Sequence, residues 1–298
     1  MNWTDKFEFR SRPQCDFCGA TRFQKIAAAD SLTILRCSCG YVFMEPHLTE
    51  QGSQQVFSSP ITDNFPWLKR YDLSSYPAGR KPRIISNYEN SLNWLSRIIP
   101  GRPSLLDIGC GAGEFLSLAV KRGWVASGID FDECSIKKIR DTLQIPVFHG
   151  SLEQMPANSE SYDVVTMWDY FEHVEKPLET LRRARNLLKP GGFLVIACPN
   201  HNGWLFALAR FFQRLRGGRN SHAFEMLYPP THLSYFDSGF LKKVASSEGF
   251  SCARMEYEET DLERVEMKKF VKLGLRVFFA FARLFRASNR FTLYLKKG

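Results

Sequence analysis

The chain has 298 residues, 44% of them hydrophobic and 14% aromatic, and it carries a formal net charge of +9. This composition excludes a disordered chain and leaves room for one α/β domain of about 200 residues with a small satellite. The opening Met1-Asn2-Trp3-Thr4-Asp5-Lys6 lacks the apolar core of a secretory signal, and no uncharged apolar run reaches the roughly 18 residues a bilayer-spanning helix needs. The excess charge is local. Residues 1–203 hold 23 basic and 22 acidic side chains, whereas residues 204–298 hold 17 and 9.

In chain order, the first signal is a pair of cysteine turns, Cys15-Asp16-Phe17-Cys18-Gly19 and Cys37-Ser38-Cys39-Gly40. Such turns on facing hairpins can set four thiolates tetrahedrally around zinc, as in a zinc ribbon. A redox pair or an unmetallated hairpin is the competing reading. The remaining cysteines, Cys110, Cys134, Cys198 and Cys252, are scattered singly, which points to a metal site in a reducing cytoplasm rather than a disulfide framework. Glu45 to Tyr76 is a polar, proline-punctuated connector; its Trp67, Tyr71 and Tyr76 would let it drape over a ligand or pack on the surface. From Arg80 to Ile99, apolar residues recur at helical spacing.

The stretch from Ser104 to Phe115 organises the rest of the chain. Leu105, Leu106 and Ile108 read as a buried parallel strand, and the chain then turns on Gly109, Gly111 and Gly113 into a helix. Strand, glycine turn and helix N-terminus form a ligand crevice in a doubly wound sheet. The ligand is not a dinucleotide, because Glu114 stands where the third fingerprint glycine belongs and puts a carboxylate in the first helical turn. With Asp107 beside it, the pattern suits a cationic or zwitterionic ligand. Trp124 to Ile129 reads as the next strand and ends at Asp130, where an acid can accept both hydroxyls of a ribose.

These residues resemble the class I S-adenosylmethionine-dependent methyltransferases. The resemblance spans roughly residues 80 to 298 and implies an α/β fold, a doubly wound seven-stranded Rossmann-like sheet. Leu105 to Gly113 matches the motif around the methionine part of S-adenosylmethionine, and Asp130 with Phe131 the ribose-binding acid. His149-Gly150-Ser151-Leu152-Glu153 matches the adenine-side motif, with Ser151 where the family usually has Asp. Tyr162 to Trp168 matches the fourth strand and Leu187 to Ile196 the turn and fifth strand. The resemblance therefore implies cofactor contacts from Asp107, Gly109, Gly111, Gly113, Asp130, Phe131, Ser151, Leu152 and Trp168. The implied organisation is a zinc-ribbon-like module over 1–47 with ligands Cys15, Cys18, Cys37 and Cys39, a linker over 48–79, and a methyltransferase domain over 80–298 with insertions at 201–235 and 262–288.

After the fourth strand, Trp168-Asp169-Tyr170-Phe171-Glu172-His173-Val174 occupies the loop where substrate meets cofactor, and His173 is a candidate general base. Base-amine methyltransferases typically carry D/N-P-P-Y/F here, and this chain does not. The ubiquinone-biosynthesis O-methyltransferases look similar at this point, with an E-x-x-E-H run that binds a divalent cation; Asp169, Glu172 and His173 take the matching positions. Beyond the fifth strand, Trp204 to Arg214 is helical, and Pro230-Thr231-His232-Leu233-Ser234-Tyr235-Phe236 resembles a run in methyltransferases of polysaccharide and lipid-linked pathways. That makes His232 the second general-base candidate. Leu241 to Glu248 reads as a helix, and Phe250–Tyr257 and Phe291–Lys297 as strands.

Between those last strands, Val265 to Arg286 places its basic residues in a sector of about 100° and apolar ones elsewhere. That profile fits either an interfacial helix on anionic lipid or a helix packed on its own domain. The expected function is methyl transfer to a small-molecule or lipid-linked acceptor, on a hydroxyl, by a cytoplasmic protein attached peripherally to the inner face of the membrane. Two rivals stand beside it, an RNA methyltransferase gripping phosphates and a non-enzymatic scaffold. The positive charge on a hydrophobic helix speaks against nucleic acid, and the intact glycines and Asp130 against the scaffold.

Overall fold

The computed structural model describes residues 3–29, 32–58, 82–156, 160–215, 217, 226–262 and 269–298. Its N-terminal part contains β1 (Phe9–Arg10), β2 (Phe23–Ala29), β3 (Leu32–Cys37), β4 (Val42–Glu45) and β5 (His47–Leu48). β2, β3 and β4 form an antiparallel meander, and β1 pairs with β5. The connector begins with a helix, α1 (Glu50–Ser58), whereas its Trp67, Tyr71 and Tyr76 lie outside the described residues.

α2 (Arg83–Ile98) follows Pro82, whose fixed φ suits a helix start. Then come β6 (Ser104–Ile108), α3 (Glu114–Lys121), β7 (Val125–Asp130), α4 (Glu133–Leu143), β8 (Val147–His149), β9 (Tyr162–Trp168), α5 (Pro177–Leu187) and β10 (Leu188–Pro199). α4 starts where Asp132 accepts a hydrogen bond from the Ser135 amide at 3.0 Å. The chain ends with α6 (Trp204–Leu215), β11 (Ser234–Tyr235), α7 (Ser238–Ser247), β12 (Phe250–Glu258), α8 (Lys269–Leu284) and β13 (Arg290–Lys297). Val265 to Lys268, expected at the start of the last helix, lie outside the described residues.

Seven strands form one sheet in the order β12-β13-β10-β9-β6-β7-β8, parallel from β10 to β8, with β13 antiparallel to both neighbours. The strand pleat sorts the apolar residues. Leu105, Val164 and Val195 face one way, onto α2, α3 and α4. Leu106, Val165 and Leu194 face the other way, onto α5 and α7. Covered on both faces, the central strands are the continuous apolar runs of a buried parallel sheet.

The N-terminal meander does not stand apart. It takes a fourth strand from the far end of the chain, β11, paired antiparallel to β4. Tyr41 and Phe43 join the same core as Leu106 and Phe236, and the Tyr41 ring stacks near Phe236 at 6.0 Å. The fully buried Tyr41 hydroxyl meets the Ser234 Oγ at 2.6 Å. Neither hydroxyl reaches solvent, so removing one strands the other. Tyr41→Phe should lower the unfolding free energy by about 1–3 kcal/mol, read as a lower denaturant midpoint at unchanged slope.

Candidate functional site

A crevice of about 890 Å³ opens at the carboxyl ends of β6, β7 and β9. Its floor is the glycine turn. The amides of Gly109 and Cys110 both donate to the Ile129 carbonyl, at 2.9 and 3.0 Å, so the turn is tied to β7. Gly111 donates its N–H to Asp130 Oδ2 at 2.7 Å, and Asp132 donates to Oδ1 at 3.0 Å. Burial pushes the Asp130 carboxyl up while these amide bonds pull it back. Gly109 has φ +73°, and a Cβ there would run into the Tyr170 ring. Gly111, at φ +50°, lines the crevice, and a Cβ there would meet nothing within 4 Å.

Asp107 lies under the turn, 2% exposed, and accepts a hydrogen bond from Thr166 Oγ1 at 2.6 Å. Burial pushes its carboxyl up to about 8, opposed by Thr166 and reinforced by the charges of Asp130 and Glu114. It does not line the crevice, whereas Asp130, Phe131, Ser151 and Trp168 do. Gly113 takes φ +82° and packs under Ile139. Leu152 turns into the core. Two buried polar atoms on the wall, Ser151 Oγ and Trp168 Nε1, have no hydrogen-bond partner among the described residues, and the polar edge of a ligand would satisfy them.

At the other end of the crevice His173 closes a short 3-10 turn, Phe171–His173. Its Nδ1 lies 2.7 Å from the Thr231 carbonyl. A carbonyl only accepts, so Nδ1 carries the proton and Nε2 is the basic nitrogen of the neutral ring. Burial lowers the ring's pKa and keeps it neutral. His232 lies edge-on, with ring centroids 4.8 Å apart. Asp169, one of the three predicted cation ligands, has a nearly buried side chain ion-paired with the half-buried Arg290. Glu172, His173 and His232 instead bring their ligand atoms within 4.8 Å of one another. Glu172 is 2% exposed; burial and the neighbouring Asp169 raise its pKa well above the usual carboxylate value.

The four N-terminal cysteines also converge, with all sulfurs within 4.8 Å of one another. Cys15 and Cys39 are 3.6 Å apart, and Cys18 and Cys37 are 3.4 Å apart. The cluster reaches the crevice through β11. Leu233, just before that strand, receives the Met44 amide at 3.0 Å and donates its own to Glu172 at 2.9 Å. Sequence reasoning missed Tyr170, Thr166 and Thr231. Of these only Thr166 left a signal, as a hydroxyl within the apolar run Val164-Val165-Thr166-Met167.

A family model described as a methyltransferase domain matches residues 81–254. The ubiquinone biosynthesis O-methyltransferase of Stutzerimonas stutzeri is 30% identical over 165 residues, covering 51% of this chain and 71% of that protein. Its namesake from Saccharophagus degradans is 31% identical over 112 residues, 35% of this chain and 48% of the relative. The chain spans about half to two thirds of the first curated relatives it matches. Among solved structures, the magnesium protoporphyrin IX methyltransferase of Synechocystis with bound SAH superposes with a TM-score of 0.53 at 15% identity, over 83% of this chain and 100% of that one. That likeness is one of fold. The glycine geometry yields a direct test by chemical denaturation. Gly109→Ala, both strained and clashing, should lose about 2–5 kcal/mol, whereas Gly111→Ala should lose only about 1–2 kcal/mol.

Proposed function

Because the chain belongs to the class I S-adenosylmethionine-dependent methyltransferases, we propose that it methylates a hydroxyl of a small-molecule or lipid-linked acceptor near a membrane surface. The observation that carries this reading is the tautomer of His173, whose Nδ1–H is committed to Thr231 and whose Nε2 is left basic at the crevice. The relatives named O-methyltransferases support an oxygen acceptor.

The residues present fit the cofactor. Gly111 leaves room for close approach, Asp130 offers a carboxylate to a ribose, and the unpartnered Ser151 Oγ and Trp168 Nε1 line the same wall. Phe131 lies next to that acid and shares the lining, while Gly109 and Gly113 shape the turn and Leu152 backs it from the core. When bound, S-adenosylmethionine supplies a methyl group already activated on a sulfonium. The protein's task is therefore alignment, an effect worth up to about 7–11 kcal/mol, together with removal of the acceptor's proton. His173 Nε2 takes that proton, and His232 stands beside it as the second base. Asp130→Ala should weaken S-adenosylmethionine binding about 10- to 100-fold by calorimetry, the loss of charge-assisted hydrogen bonds. His173→Ala should leave that affinity intact and lower kcat about 10²- to 10⁴-fold.

The sign of the pH dependence follows from the lowered pKa of His173. Protonation of Nε2 disables the base, so kcat/KM should rise with pH along an acid limb below the ordinary histidine value of about 6.5 and be flat at neutral pH. An unshifted limb, or one that survives His173→Ala, would assign the proton transfer elsewhere.

Cys15, Cys18, Cys37 and Cys39 fit a structural zinc ion, since four thiol donors leave no open position for chemistry. Burial pushes the Cys15 thiol up, so a metal is what would keep it a thiolate. The ion's contribution to turnover is indirect, through β11 and the segment from Thr231 to Ser234. Stripping the metal with a chelator should cut turnover about tenfold or more while changing S-adenosylmethionine affinity far less. Equal loss of both would mean general unfolding.

A further inference from the structure

Twelve of the fourteen large apolar side chains exposed among the described residues lie on α6, on α8 or directly after it. On α6 the exposed side carries Phe211, Phe212 and Leu215, while Phe206 and Gln213 face inward, Gln213 Nε2 donating to the Ala28 carbonyl at 2.7 Å. On α8 Phe279 and Ala282 face inward, and Phe270, Phe281 and Leu284 are 70%, 56% and 75% exposed. The two helices are far apart in sequence, yet Trp204 stacks on Phe285 with ring centroids 5.3 Å apart, so their outer faces join.

Cations border this surface. On α8, Lys269, Lys272, Arg276 and Arg283 follow one sector of about 60°, between the inward side and the exposed apolar side. Neither α6 nor α8 contains a carboxylate. No helix among the described residues is long and apolar enough to cross a membrane.

We infer that α6 and α8 together form a platform that lies on an anionic lipid surface, with the aromatic faces among the acyl chains and the basic edge at the headgroups. An amphipathic helix with aromatic and leucine side chains on one face and Lys/Arg on its edge is held in that way. A second copy of the chain fits less well. A twofold contact through these faces would bring basic edges together with no acidic partner on either helix. The platform lies outside the crevice and needs no methyl acceptor to be tested.

The test is sedimentation of the full chain with vesicles of phosphatidylcholine, with or without phosphatidylglycerol. Binding to the anionic vesicles should exceed binding to neutral ones by about tenfold or more and should fall as salt rises. Phe211→Ser with Phe281→Ser, and separately Lys269→Glu with Arg283→Glu, should each lower that binding about tenfold or more. Unchanged S-adenosylmethionine affinity in the same variants would report an intact fold. Failure of the parent chain to bind anionic vesicles overturns the inference. So does a dimer of the parent in solution that Phe211→Ser with Phe281→Ser dissolves. Either result leaves the methyl-transfer reading standing, because neither assay measures turnover.

Discussion

The crevice depends on one hydrogen bond, from the Gly111 amide to the Asp130 carboxylate. A buried carboxyl needs donors, and here one is the Asp132 amide while the other, Gly111, is turned into place at a positive φ that glycine adopts freely. With Gly109 and Cys110 both bound to Ile129, the bond locks the end of β6 to the end of β7. The acid proposed to meet the ribose is thereby fixed before any ligand arrives, which is what preorganisation requires. Tyr170 completes the arrangement from β9's side, because its ring occupies the space that a Gly109 side chain would need.

The acceptor side is built by a different route. His173 owes its tautomer to Thr231, and Thr231 belongs to the segment that runs into β11. β11 is in turn the fourth strand of the cysteine-bearing sheet. Glu175 adds a second tie, since its side chain accepts the Glu50 amide at 2.9 Å and lies near Arg10 and His47. The neighbouring His47 and Arg10 and the Glu50 amide hold that carboxyl down at about 2, against the effect of its burial. The wall on this side is α1, through Glu50, Ser53 and Phe57, and the N-terminal module braces it from behind. The loops that launch α6 and receive α8 also meet nearby, where the Asn200 amide donates to the Asn289 carbonyl at 2.8 Å.

Most of the sheet was legible because its signals are local. The run from Leu105 to Gly113, the acid ending β7 and the apolar strand before Trp168 each carry their pattern within a dozen residues. The strand from Leu188 to Pro199 begins earlier than its apolar run suggests, with an irregularity between Leu188 and Phe193 around the two glycines. What escaped is non-local. Nothing in the residue order signals that Asp169 pairs with Arg290, 121 positions away; the sequence groups Asp169 with Glu172 and His173, whereas the fold brings Glu172 and His173 to His232. A two-residue strand such as β11 has too few residues for periodicity to register, and its pairing with β4 could not be anticipated.

That short strand has a bearing on how the protein comes into being. The cysteine hairpins leave the ribosome before β11 does, and Tyr41 waits for a hydroxyl 193 positions further along. Until then the outer edge of β4 presents unpaired amides and carbonyls, the surface on which nascent chains stick to one another. Loading the thiol cluster early would stiffen the hairpins during this interval without covering that edge. Closure of the edge thus marks the moment when the cysteine hairpins are joined to Ser234 and Tyr235.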